Sequence, residues 1–193
     1  MPLLLQEHIK YKANTFASFN LYFQDESRFG LFTRNGKVLT AKGIKPICLY
    51  QHKFENTYLF GAFSPITGDS LLLDLPHCNT DTFQIFLTQL SQHKPTEYKM
   101  VVLDNGAFHK AKRLQIPPNI GLIFLPPYSP ELNPAEKIWW VLKKQINNKT
   151  FTNMQHLQTA IDHSIRDKLS TQQIKSITAY QFYLDTFRTI MNV

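Results

Sequence analysis

A chain of 193 residues, 43% hydrophobic and 13% aromatic, is long enough for one packed domain without disulfides or structural metals, and its 18% of charged residues exclude a disordered polyelectrolyte. No apolar run approaches the roughly 18 residues needed to span a bilayer, and Met1-Pro2-Leu3-Leu4-Leu5 is too short for a signal-peptide core, so a cytoplasmic protein with no membrane partner is expected. The formal charge of +7 favours a polyanionic partner, because Lys and Arg displace counterions condensed on phosphates, but it decides little until the charges are placed.

Apolar and polar residues roughly alternate from Leu21 to Phe32, Arg34-Asn35-Gly36-Lys37 has the composition of a hairpin turn, and Val38 to Thr40 can start a return strand. Tyr58 to Phe63 and Ser70 to Leu75 read as a second hairpin, turning through the Pro and Gly of Ser64 to Asp69. Asn79 and Thr80 can cap a helix with Phe83, Phe86, Leu87 and Leu90 on one face. Met100 to Leu103 and Leu122 to Leu125 are continuous apolar runs, expected of central parallel strands buried on both faces.

A proline-rich turn, Pro126 to Pro130, leads to Asn133 and Pro134, which can open a helix. Two more helices are expected to close the chain. Thr152 can cap one whose stripe is Leu157, Ile161, Ile165 and Leu169, and Thr171 can cap the last. An antiparallel meander followed by parallel strands and helices predicts an α/β fold, a mixed sheet flanked by helices in the element order of ribonuclease H-like folds.

Chemistry then depends on where the acidic residues fall. Cys48 and Cys78 are too few for a disulfide framework, and His77 beside Cys78 lacks a partner pair at zinc-ligand spacing, so both cysteines read as small hydrophobes. Asp104 follows an apolar strand, and ligands bind at the carboxyl ends of parallel strands; Asn105-Gly106 equally allows an Asp that only forms a turn. Asp25 shares its strand face with Leu21 and Phe23, while Glu26 points the other way; a register shift of one residue would exchange them. Glu136 stands where it can close a capping box with Asn133, or face the same edge as Asp104. Converging, such carboxylates can hold two Mg²⁺ ions through hard oxygen ligands, with Mn²⁺ as a substitute, and support phosphodiester displacement without a protein nucleophile. Like charges so crowded should destabilise the metal-free chain, and Asp104→Asn is expected to relieve this.

The blocks Gln24-Asp25-Glu26-Ser27, Val102-Leu103-Asp104-Asn105-Gly106-Ala107-Phe108-His109 and Leu125-Pro126-Pro127-Tyr128-Ser129-Pro130-Glu131-Leu132-Asn133-Pro134-Ala135-Glu136-Lys137-Ile138-Trp139 resemble the DDE transposases of the mariner superfamily, in its bacterial insertion-sequence branch. The resemblance spans roughly residues 20 to 150 and implies a ribonuclease H-like core with Asp25, Asp104 and Glu136 as catalytic metal ligands. It further implies cleavage of double-stranded DNA at transposon ends, strand transfer into target DNA at TA dinucleotides, and a homodimer when assembled on DNA. Glu131 is the local rival of Glu136 but precedes the helix-opening Pro134.

Basic and aromatic residues near these positions, Lys110, Lys112, Arg113, Trp140 and Lys143, are candidate DNA contacts, as is His109, which can alternatively hydrogen-bond a metal ligand. Ile138 and Trp139 read as core. The expected organisation is a lead-in segment, 1–19, followed by a catalytic domain, 20–193, with no helix-turn-helix domain for recognising transposon ends. A separate end-recognition polypeptide, a fragment, or a domesticated DNA-binding remnant would each account for that, and a ribonuclease H-like nuclease of another role is the competing enzyme class.

Overall fold

Side chains on a strand alternate between faces, so a strand apolar on both sides needs a layer of cover on each. In the computed structural model, which describes residues 6, 7, 9, 10, 12, 15–34 and 36–191, that demand is met by one five-stranded sheet between two helical layers. The strands are β1 (Ser18–Gly30), β2 (Asn56–Phe63), β3 (Ser70–Leu75), β4 (Glu97–Leu103) and β5 (Ile120–Phe124), in the order β3-β2-β1-β4-β5. The β1–β2 and β2–β3 pairs are antiparallel, the β1–β4 and β4–β5 pairs parallel. This is the mixed ribonuclease H-like α/β sheet expected from the order of elements.

One face is covered by α1 (Thr80–Gln92), which packs Phe83, Phe86, Leu87 and Leu90 onto Tyr22, Phe60, Val101 and Leu103. Asn79 caps it, its side chain accepting from the amides of Asp81 and Thr82 while Thr82 Oγ1 accepts the Asn79 amide. The other face, with Leu21, Phe23, Met100 and Val102, is covered by α2 (Ala135–Ile146), α3 (Met154–Lys168), α4 (Thr171–Thr178) and α5 (Gln181–Met191). Three helices therefore follow α2, not two. Asn153 caps α3 in place of Thr152, and Ser170 caps α4 in place of Thr171; each has the extended backbone of a cap and accepts an amide of the first turn, His156 and Gln173 respectively.

Two strand expectations are corrected. Val38 to Thr40 form no strand, and Asn35 of the expected turn lies outside the described residues. Val38 and Leu39 are 44% and 100% exposed, so their alternation has no face to bury, and β2 takes the place beside β1 with its buried Leu59, Phe60 and Phe63. The strand read at Leu122 to Leu125 is an edge strand: Leu122 and Phe124 are only partly buried, whereas all of β4 is buried. Cys48 is exposed and no part of the core, while Cys78 packs half-buried against the α1 face.

Gly61 shows how tightly the α2 face is filled. It pairs with Asp25 across β1–β2, and a Cβ there would stand 2.5 Å from Phe63 and 2.7 Å from Trp139, both buried rings with no room to retreat. Overpacking of this kind costs about 1–3 kcal/mol. Gly61→Ala should therefore lower the melting temperature by about 2–4 °C per kcal/mol, read by thermal denaturation; an unchanged melt would mean that the indole has space the structure denies it.

Candidate active site

The parallel register of β1 on β4 pairs Leu21 with Met100 and Phe23 with Val102, so two residues further on Asp25 comes level with Asp104 just past the end of β4. The third carboxylate arrives on α2. Asn133 Nδ2 donates to the Gln24 carbonyl at 2.9 Å, and its Oδ1 accepts the Ala135 amide at 3.1 Å, which locks the first turn of α2 against β1 beside Asp25. The amide of Asn133 goes to the Pro130 carbonyl, so no capping box forms and Glu136 stands exposed with its carboxylate free for the cleft.

Asp25, Asp104 and Glu136 together line one cleft of ≈ 450 Å³, closed on the far side by the loop from Leu125 to Pro130. Glu131, in the turn at Pro130–Leu132, does not line it. The loop is fastened at both ends. Asn105 Nδ2 donates to the Leu125 carbonyl, and the hydroxyl of Tyr183 on α5 donates to the Leu132 carbonyl at 2.9 Å.

Asp25 is the strained member. Burial, then the neighbouring carboxylates of Glu26 and Glu136, push its carboxyl up to about 8, against the Trp139 indole N–H, which donates to Oδ2 at 2.8 Å. Trp139 is thus core, as read from the sequence, and also a hydrogen-bond donor to the site. Asp104 has the turn-forming contact that Asn105-Gly106 allowed: its side chain is 61% exposed, and Oδ1 accepts the Gly106 amide at 2.8 Å.

His109 is turned inward, 2% exposed, and so is not placed to meet DNA. Its Nε2 lies 3.0 Å from Glu26 Oε1, and Nδ1 stands 2.9 Å from Asp104 Oδ1 but out of line for a hydrogen bond. Glu26 also accepts from Gln24 Nε2 at 2.6 Å. Glu26 therefore sits behind the site, on the α1 face, and reaches Asp104 only through His109. Sequence reading offered His109 as a hydrogen-bond partner of a metal ligand but left out its bond to Glu26, because that bond joins strand β1 to the turn after β4.

Among the described residues, no three His, Cys, Asp or Glu side chains already stand close enough to form a metal cage. The donor set nevertheless fits a hard divalent cation: the acidic side chains lining the cleft offer carboxylate oxygens, and Asp25, raised first by burial and then by Glu26 and Glu136, would ionise more readily beside a cation. Cys78 does not compete, since burial and then Glu26, Asp25 and Asp104 push its thiol up to about 11 and keep it protonated.

The remaining candidates separate into two groups. Lys143 is half-buried two turns beyond Glu136; burial, with the Arg34 guanidinium beside it, holds its ammonium below the usual lysine range, partly countered by Glu136 and Asp25. It shares a groove of ≈ 690 Å³ with Arg34, Lys37, Lys144 and the exposed Trp140. By contrast, Lys110 is occupied by Asn105 Oδ1 and the Phe124 ring, Arg113 by Asp81 at 3.0 Å, and Lys112 is simply exposed.

The Asp25 carboxyl sets a pH dependence. Unfolded, it ionises near 3.8; folded, it stays protonated until about 8, so its contribution to stability is full below the first value and is lost as pH rises through the second. In chelator at pH 8, Asp25→Asn, which keeps an oxygen for Trp139, should melt above the unmutated chain, by about 2–4 °C for each kcal/mol relieved. Asp104→Asn, at an exposed position, should change little, which moves the expected relief of repulsion from Asp104 to Asp25. Thermal melts across pH 4 to 9 read both, and an Asp25→Asn protein that melts lower at pH 8 would contradict the strain.

Comparison with known proteins agrees with the geometry. The family described as DDE superfamily endonuclease matches residues 20–158. A protein of Sinorhizobium fredii (strain NBRC 101917 / NGR234), y4pE/y4sA, of uncharacterized function, is 35% identical over 104 residues, which cover 53% of this chain and 77% of that protein. Among solved structures, the catalytic domain of Mos1 mariner transposase superposes with a TM-score of 0.57 at 15% identity, covering 92% of this chain and 82% of that one. The Mos1 paired-end complex with the left transposon end gives 0.64 at 15% identity over 92% of this chain, which spans only 55% of the Mos1 chain in it. At such identity these structures share the fold, and the extent of the family match makes the wider assignment: the chain belongs to the DDE superfamily of endonucleases.

Proposed function

We propose that this chain is the catalytic domain of a metal-dependent DNA transposase of the bacterial insertion-sequence branch of the mariner superfamily. In this reading it cleaves phosphodiester bonds at transposon ends and transfers the 3′-hydroxyls into target DNA at TA sites, acting as a homodimer on DNA. The observation that carries it is the convergence of Asp25, Asp104 and Glu136 from β1, the end of β4 and the start of α2 on one cleft, in a chain of the DDE superfamily.

Asp25, Asp104 and Glu136 would hold two Mg²⁺, or Mn²⁺ in their place. Bound there, such ions would lower the pKa of an attacking water or 3′-hydroxyl and would stabilise the leaving oxygen. The protein's own part is positioning. Trp139 fixes the Asp25 carboxylate through its indole N–H, Asn133 holds α2 so that Glu136 faces the cleft, and His109 backs Asp104 from the Glu26 side. Phosphates leading away from the cleft would follow the groove of Arg34, Lys37, Lys143 and Lys144, with Trp140 at its edge. Lys110, Lys112 and Arg113 lie on the other side of Asp104 and would add a weaker, screened attraction.

Purified chain should nick supercoiled DNA with Mg²⁺ or Mn²⁺ and not in chelator. Asp25→Asn, Asp104→Asn and Glu136→Gln should each lose more than the ~100-fold that is the upper range for outer-shell partners, and Glu26→Gln about 10-fold. Glu131→Gln should stay near the unmutated rate. Full activity in Glu136→Gln with a dead Glu131→Gln would overturn the third assignment, and a chain that binds DNA but never nicks would point to the binding remnant.

The groove makes a separate prediction. Lys143→Ala and Lys144→Ala should each weaken duplex binding regardless of sequence and reduce the slope of log K against log salt by about 1. Fluorescence anisotropy from low to moderate salt measures it; unchanged slopes would remove the groove from the DNA path.

A further inference from the structure

Tyr128 has a large aromatic ring and is 101% exposed, in a chain whose other tyrosines include the fully buried Tyr22 and the nearly buried Tyr98 and Tyr183. Its backbone is in the left-handed region, with φ 58°, which a bulky side chain rarely adopts. Its surroundings hold it there. Pro126, Pro127 and Pro130 fix their own backbone angles on both sides, and the loop ends are tied by Asn105 to the Leu125 carbonyl and by Tyr183 to the Leu132 carbonyl. The result is a ring presented to solvent by a stiff loop, at the lip of the cleft that Asp25, Asp104 and Glu136 line.

Core packing does not explain this placement, since the ring packs against neither hydrophobic layer. Trp140, also exposed, is differently employed: Lys144 Nζ lies 5.2 Å from its ring, so it belongs with the cations of the basic groove. No ring or cation of the described residues stacks on Tyr128. What a free, rigid aromatic face next to a phosphodiester-cleaving cleft fits is the face of a nucleobase, and such stacking is available only to a base that has left its own stack.

We propose that Tyr128 stacks on an unpaired nucleobase adjoining the scissile phosphate and so favours DNA opened at the cleavage point over fully paired duplex. The proposal rests on the reading of this cleft as a DNA-cleaving site. It gives Tyr128 contact with substrate, so its loss should lower discrimination between opened and paired DNA without lowering the affinity that the lysines supply.

The experiment uses the full chain in chelator, which prevents cleavage, and two labelled DNAs: one fully paired, and one with three unpaired nucleotides that carry 2-aminopurine. The unmutated chain and Tyr128→Phe should bind the opened DNA more tightly and quench the 2-aminopurine. Tyr128→Ala should keep its affinity for paired DNA and its melting temperature, and lose the preference by about five- to a hundredfold. A Tyr128→Ala protein with undiminished preference and quenching, or an unmutated chain that binds both DNAs alike, would overturn the proposal and leave the transposase reading standing. An unmutated chain that binds neither DNA would overturn both.

Discussion

The parallel pairing of β1 with β4 is the constraint on which the site depends. Its register sets Asp25 level with Asp104 at one end of the sheet, and no local feature of either segment could do so alone. The consequence is electrostatic. Asp25 is taken out of water beside Glu26 and Glu136, and the fold accepts the repulsion because most of the sheet's apolar surface is buried in the same arrangement. Strain of this kind is stored where it is used, at a position that a proton relieves below about pH 8 and a bound cation would relieve above it.

Around that constraint, ordinary packing residues double as positioning groups. Trp139 fills the α2 face of the core and donates to Asp25; Gly61 leaves room for the indole to lie there. Asn133 satisfies the first amide of α2 and ties the helix to β1 through the Gln24 carbonyl. Tyr183, from the last helix, packs its ring on Phe23 and holds the loop at Leu132. The last helix therefore reaches the loop beside the site through a hydrogen bond and is more than a cover for the sheet. On the opposite face, Gln24, Glu26 and His109 form a buried polar chain that ends at Asp104.

Much of this was legible in the sequence where short-range periodicity carries the information. The α1 stripe, the second hairpin, the apolar β4 run and the alternation that separates Asp25 from Glu26 all follow from spacing, whereas the preference for Glu136 over Glu131 came from the family resemblance and its place on a helix. What was not legible depends on partners far along the chain. The segment after Phe32 looks like a hairpin until the structure shows β2 in that position, and an apolar run such as Leu122 to Leu125 does not reveal whether it is central or an edge. Asn153 and Ser170 displaced neighbouring threonines as caps because sequence fixes a helix start only to within a residue or so. His109 offered two readings, and burial favours the inward one.

The central claim is that the three carboxylates form one cation site, and calorimetric titration of Mn²⁺ into the chain at several pH values tests it most directly. Because folded Asp25 keeps its proton up to about 8, cation binding near neutrality must displace that proton, and the release should shrink as pH passes 8. The account predicts saturable binding with this pH-dependent proton release, with both weakened in Asp25→Asn. Mn²⁺ binding without proton release, or binding undiminished in Asp25→Asn, would contradict it.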